Sequence, residues 1–129
     1  MQIIQTYQNY ITTLKAEKKA VIETLLENHC KDDATFKQVE LNIIEIFEKM
    51  FEISVKKSNA DATHPTDTLK VTFLAFFEKI PQNWHTQREK SRQFDDASTE
   101  YTETLKIEQA NAMKHKFLSL LEEEAHGAH

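Results

Sequence analysis

His29-Cys30, followed by Asp32 and Asp33, is the one stretch of this chain in which a thiol, an imidazole and carboxylates lie close in sequence. Such a group could activate a cysteine nucleophile, provided the fold also brought the base into reach and supplied an oxyanion hole. A helix-helix turn without glycine offers no ready hole, so Cys30 reads as a partly exposed turn residue. Zinc is weaker still, because one cysteine would have to recruit several distant histidines to complete a structural site. A single cysteine also has no internal disulfide partner. That points to a reducing compartment and a cytoplasmic protein.

The remaining histidines fall in a turn (His64), in helical segments (His85, His115) and in the last four positions (His126, His129). A carboxylate-bridged di-iron centre in a helical bundle needs Glu-x-x-His repeats, so that both ligands project inward one turn apart. The residues three before His29, His85 and His115 are Leu26, Gln82 and Ala112, and no such repeat exists. His126 and His129, behind Glu122, Glu123 and Glu124, could clasp a stray divalent cation. A frayed, disordered tail over 125–129 is the simpler expectation. No metal and no cofactor is expected.

Pairing the third and fourth helical segments antiparallel about Asp95-Asp96 sets Glu108 level with Asn83, Trp84 and His85. Glu108 lies between Leu105 and Ala112 on an apolar stripe, so partial burial and a hydrogen bond from His85 or the Trp84 indole are expected. His85 and Glu108 are therefore a candidate polar pair. The pair is a structural hydrogen bond or, in the sharper alternative, the centre of a small metal- or proton-handling enzyme or sensor.

Arg88, Lys90 and Arg92 form the most basic patch, one turn beyond Trp84. The stretch 66–94 carries net charge +2 and the stretch 95–124 carries −5, so these neighbours neutralise each other. Nucleic-acid recognition needs an unopposed basic face, and the net charge of −5 has the wrong sign for attraction to phosphate or anionic lipid. Phosphate-cradling loops are excluded because the chain has one glycine, Gly127.

That same scarcity fixes the fold class. Tight hairpins need residues that tolerate positive φ, and no glycine precedes Gly127; the two prolines are Pro65 and Pro81. The chain reads as all-α, an antiparallel up-down four-helix bundle over 1–124, with helices at about 3–28, 34–58, 66–94 and 96–124.

The first stripe is Ile4, Tyr7, Ile11, Leu14, Val21 and Leu25, interrupted by Lys18. The second segment shows its cleanest row at Phe36, Val39, Ile43, Ile46, Met50 and Ile53, with another at Ile44, Phe47, Phe51 and Val55. Its start reads as a cap at Asp33 or Thr35, the latter opening a capping box to Gln38. Thr66 or Asp67 caps the third helix, and Pro81 kinks it, unless one helix stops near Lys79 and another begins at Pro81. A single continuous helix from Pro81 to Glu124 is the alternative to a third turn at Phe94 to Ser98.

In such a bundle the termini and the second connection share one end. Tyr7, Phe47, Phe51, Phe73, Phe76, Phe77 and Phe117 should meet there as an aromatic core. The opposite end is thin: between Thr86 and Lys106 only Phe94, Ala97, Tyr101 and Leu105 are apolar. The start of the chain lacks the pattern of a secretion leader. The longest apolar run, Phe73 to Phe77, is far short of the roughly 20 residues of a membrane span. A soluble, non-catalytic helical protein that binds another protein, or itself as a homodimer, is the resulting expectation. Its candidate interaction surface is Trp84, Arg88, Arg92, Phe94 and Tyr101; neither nucleic acid nor membrane is expected as a partner.

Overall fold

Apolar residues recurring every three or four places make helices that can bury one face only against each other. The computed structural model, which describes residues 2–127, has α1 (Gln2–Glu27), α2 (Lys31–Ala60), α3 (Pro65–Lys79), α4 (Gln82–Gln93) and α5 (Ala97–Gly127). Helices α3 and α4 are one rod bent at Ile80-Pro81, so the described residues form four antiparallel rods and no strand. At the bend both residues keep right-handed dihedrals (φ −62°, ψ −45° and φ −73°, ψ −9°), but Pro81 has no N–H to give the Phe77 carbonyl. Regular bonding resumes where the His85 N–H reaches the Pro81 carbonyl at 3.0 Å. The third turn is present, and α5 continues to Gly127, past the Glu124 boundary and into the expected tail.

Two turns solve the glycine problem in the same way. His29 (φ 61°) and Asp95 (φ 54°) adopt the left-handed conformation that closes α1 and α4. Around His29, the Cys30 N–H bonds the Leu25 carbonyl at 2.8 Å and the His29 N–H bonds that of Leu26 at 3.1 Å. Asp96 and Asp95 repeat the pattern on Ser91 and Arg92 at 2.8 and 3.4 Å. Both are Schellman closures, in which glycine is the usual left-handed residue because a Cβ is strained there by about 1 kcal/mol or more. His29→Gly is therefore expected to raise stability by about 0.5 to 1 kcal/mol after the entropy of the extra glycine is counted, and Asp95→Gly by less, since aspartate tolerates this region. The check is the urea midpoint at unchanged slope. A lower midpoint for His29→Gly would contradict strain at that turn.

Closing α1 so tightly leaves only Cys30 to begin α2, and the expected cap at Asp33 or Thr35 is not used. Thr35 lies inside the helix, its hydroxyl donating to the Lys31 carbonyl at 3.0 Å. Asp32 and Asp33 fall in the first turn, where the positive end of the helix favours them. Pro65, rather than Thr66 or Asp67, opens α3, and His64 is its N-cap. Asp61 organises this connection: its carboxylate accepts the N–H groups of His64 (2.9 Å) and Thr63 (3.0 Å) and the Thr68 hydroxyl. These donors hold its carboxyl down at about 2. Asp96 caps α5 by accepting the Thr99 hydroxyl at 2.7 Å and the Thr99 N–H at 3.1 Å, which lowers its carboxyl below the usual range.

The expected aromatic end is present. Tyr7, Phe51, Phe73 and Phe117 meet with ring centroids 4.7 to 6.2 Å apart, mostly edge to face. Phe47 stacks on Phe77 at 4.3 Å, whereas Phe76 packs at the margin, half-buried. The Tyr7 hydroxyl donates to the Met113 carbonyl at 3.0 Å, and burial, reinforced by Tyr10, pushes its ionisation far above the ordinary range. The Ile3 N–H reaches Glu124 Oε1 at 3.4 Å, tying the first turn of α1 to the last turns of α5. On α2 the deepest row is Ile44, Phe47 and Phe51; Ile46 and Ile53, from the row that looked cleaner, are exposed at its margin. On α1 the stripe shifts by one residue at Lys18, so that Ile22 is half-buried and Val21 is exposed.

Candidate functional site

Beyond the aromatic end the bundle interior changes character. Lys18 on α1 pairs with the buried Glu40 of α2, and Lys37 Nζ approaches the same carboxylate at 3.4 Å. On α5, Glu103 Oε1 accepts a hydrogen bond from Lys106 at 3.0 Å. Glu103 is 7% exposed, and its Oε2 is shielded from solvent with no hydrogen-bond partner among the described residues. Ser91 of α4, also buried, donates to the Gln87 carbonyl at 2.7 Å. Paired interior charges add little net stability, yet removing one partner strands the other. Sequence reading missed Glu40 and Glu103, although each stands four residues before a buried isoleucine, Ile44 and Ile107. That in-phase spacing is the signal that marks them.

The five residues of the expected interaction surface divide. Trp84 is 8% exposed and its ring meets Phe47 edge-on at 6.5 Å, so it belongs to the core. The reason lies in α4 itself, whose other side chains are polar or small; burying Trp84 is what seats the helix. Arg88 is half-buried and its Nη2 donates to His85 Nδ1 at 3.4 Å. Arg92 is held by Glu100 at 2.8 Å and by Glu89 at 3.7 Å. Phe94 and Tyr101 remain as surface: Phe94 is 79% exposed beside the left-handed turn, and Tyr101 is 50% exposed, its ring edge-on to Phe36 at 4.7 Å. Leu26, 51% exposed in the last turn of α1, stands at the same end of the bundle and was not picked out from sequence.

The expected His85–Glu108 pair does not form. Glu108 is exposed and makes no hydrogen bond or ion pair among the described residues, while the exposed His85 ring faces Arg88. The buried face of α5 runs through Leu105, Ile107, Ala110 and Met113 instead, which turns both Glu108 and Ala112 outward.

Cys30 is half-buried, with its Sγ 3.6 Å from the Asn28 carbonyl and His29 exposed beside it. Among the described residues no group of three or more His, Cys, Asp or Glu side chains is placed to hold a metal ion. His126 is exposed on the last turn of α5, and His129 lies outside the described residues. A shallow groove of about 430 Å³ between α1 and α5 is lined by Thr6, Tyr10, Leu14 and Lys116, among others, with the Lys116 ammonium 5.7 Å from the Tyr10 ring centre. Among the described residues no helix is long and apolar enough to cross a membrane. The chain matches no protein-family model, and neither a curated protein nor a solved structure is significantly similar to it.

Proposed function

We propose that this chain is a non-catalytic interaction module, a regulator, adaptor or inhibitor that works by docking another protein on the distal end of its bundle. The observation that carries the reading is Phe94, a large apolar side chain left 79% exposed at a helix-ending turn. Isolated surface hydrophobes are ordinary. Here, however, Tyr101 lies on the opposing arm of the same helical hairpin, and Leu26 ends another helix at the same level of the bundle. Aromatic side chains at a rigid turn supply contact area at small entropic cost, the usual make-up of an interaction hot spot. The groups best suited to chemistry (Cys30, His85 and Glu108) are dispersed, which favours binding over catalysis. The lone cysteine suits a cytoplasmic setting.

The test compares wild type with Phe94→Ser, each tagged and purified from the native cell. Phe94 is too exposed for the substitution to disturb folding, and circular dichroism provides the control. A partner that copurifies stoichiometrically with wild type and is lost from Phe94→Ser is the expected result. No copurifying protein, or one indifferent to Phe94→Ser, overturns the reading. Light scattering of the purified chain reports whether that partner is a second copy.

A further inference from the structure

We infer that the partner of this distal end is a basic segment of another protein, an apolar anchor flanked by lysine or arginine; this rests on the docking reading above. The sign follows from which charges around the two distal turns are already satisfied. Arg92 is held by Glu100 and Glu89, and Lys37 by Glu40, whereas Arg88 against the His85 ring and Asp96 against Thr99 keep their charges. Five carboxylates, Glu23, Glu27, Asp32, Asp33 and Asp95, make no hydrogen bond or ion pair among the described residues. Lys19, Lys31 and Lys90 oppose them in the same unpaired state and Arg88 keeps its charge, so that residues 23–37 and 88–100, the two distal turns and their flanks, together carry net charge −3. The excess belongs to the same turns that expose Phe94 and Leu26.

An approaching charged segment feels each exposed carboxylate that comes within about 8 Å of it, the Debye length at physiological salt. A second copy is disfavoured as occupant, since tip-to-tip contact would set two ends of net charge −3 against each other. Nucleic acid and anionic lipid are repelled for the same reason. A basic segment gains on both counts, and an arginine has the further option of lying flat on the half-exposed ring of Tyr101.

The test uses two short labelled helical peptides with identical leucine spacing, one completed with lysine and the other with glutamate, titrated with the full chain by fluorescence anisotropy. The lysine peptide should bind at least about tenfold tighter than the glutamate peptide, as complementary charge selects partners. Phe94→Ser should weaken it about tenfold, the scale of one aromatic anchor. Asp32→Asn combined with Asp33→Asn and Asp95→Asn should weaken it by a similar factor, as should raising salt from about 50 to about 500 mM; asparagine keeps the left-handed turn at 95 available. If both peptides bind equally and both need Phe94, the charge inference fails while the docking surface stands. If the lysine peptide binds equally well to Phe94→Ser, the docking surface itself is wrong. Binding of neither peptide, or a stable dimer of the chain without one, overturns the inference.

Discussion

Phe73→Ala is expected to lower the unfolding free energy by about 3 to 5 kcal/mol, the range for deleting a buried phenyl ring from a packed interior. Phe73 is fully buried and touches the rings of Tyr7, Phe51, Phe77 and Phe117 at centroid distances of 4.8 to 5.4 Å. These neighbours belong to α1, α2, α3 and α5, so the cavity opens where all four rods converge and none can move in without releasing another. A chain of this length loses roughly 4 °C of melting temperature per kcal/mol, which places the expected drop at about 10 to 20 °C. Phe76→Ala, at the half-buried margin of the same cluster, is the internal comparison and should lose less than half as much. Equal losses for the two variants would mean that the ring cluster is not the centre of the core.

Trp84→Ala is expected to have the second largest effect, about 3 kcal/mol or more by the same reasoning, and to distribute it differently. The buried residues of α4 are Trp84 and Ser91, and the helix packs chiefly on α5. Without the indole, α4 keeps its connections at Pro81 and Phe94 but has no apolar side chain left in the interior. Amide exchange across Gln82–Gln93 should therefore accelerate far more than exchange in α2, whose row of Ile44, Phe47 and Phe51 is intact. Trp84→Phe should recover most of the protection. Wild-type protection of α4 in Trp84→Ala would show that its polar face, not the indole, holds it in place.

The rods and their order were legible because a chain without usable glycine has few alternatives to helix, and because stripes in α2 and α3 keep their period for several turns. The aromatic end was legible for the same reason: seven rings fall where an up-down bundle brings its ends together. Other features depend on neighbours that no local pattern encodes. After Leu14 an apolar row can run on to Val21 or to Ile22, seven or eight residues away, and it is Ile22 that is half-buried. Along α5, Leu105, Ile107, Ala110, Ala112 and Met113 offer two competing faces, and contact with α2 and α4 decides between them, moving Glu108 outward and Glu103 inward. Trp84 looked like a surface aromatic in a polar helix. It is buried because α4 has nothing else to bury.

The two hydrogen bonds of longest sequence span among the described residues, Tyr7 to Met113 and Ile3 to Glu124, join the first helix to the last. During synthesis, then, α1, α2 and α3 leave the ribosome carrying Tyr7, Phe51 and Phe73 with no ring of Phe117 to close over them. Those rings stay uncovered until α5 has emerged, so the core closes only after the four helices before it have been made.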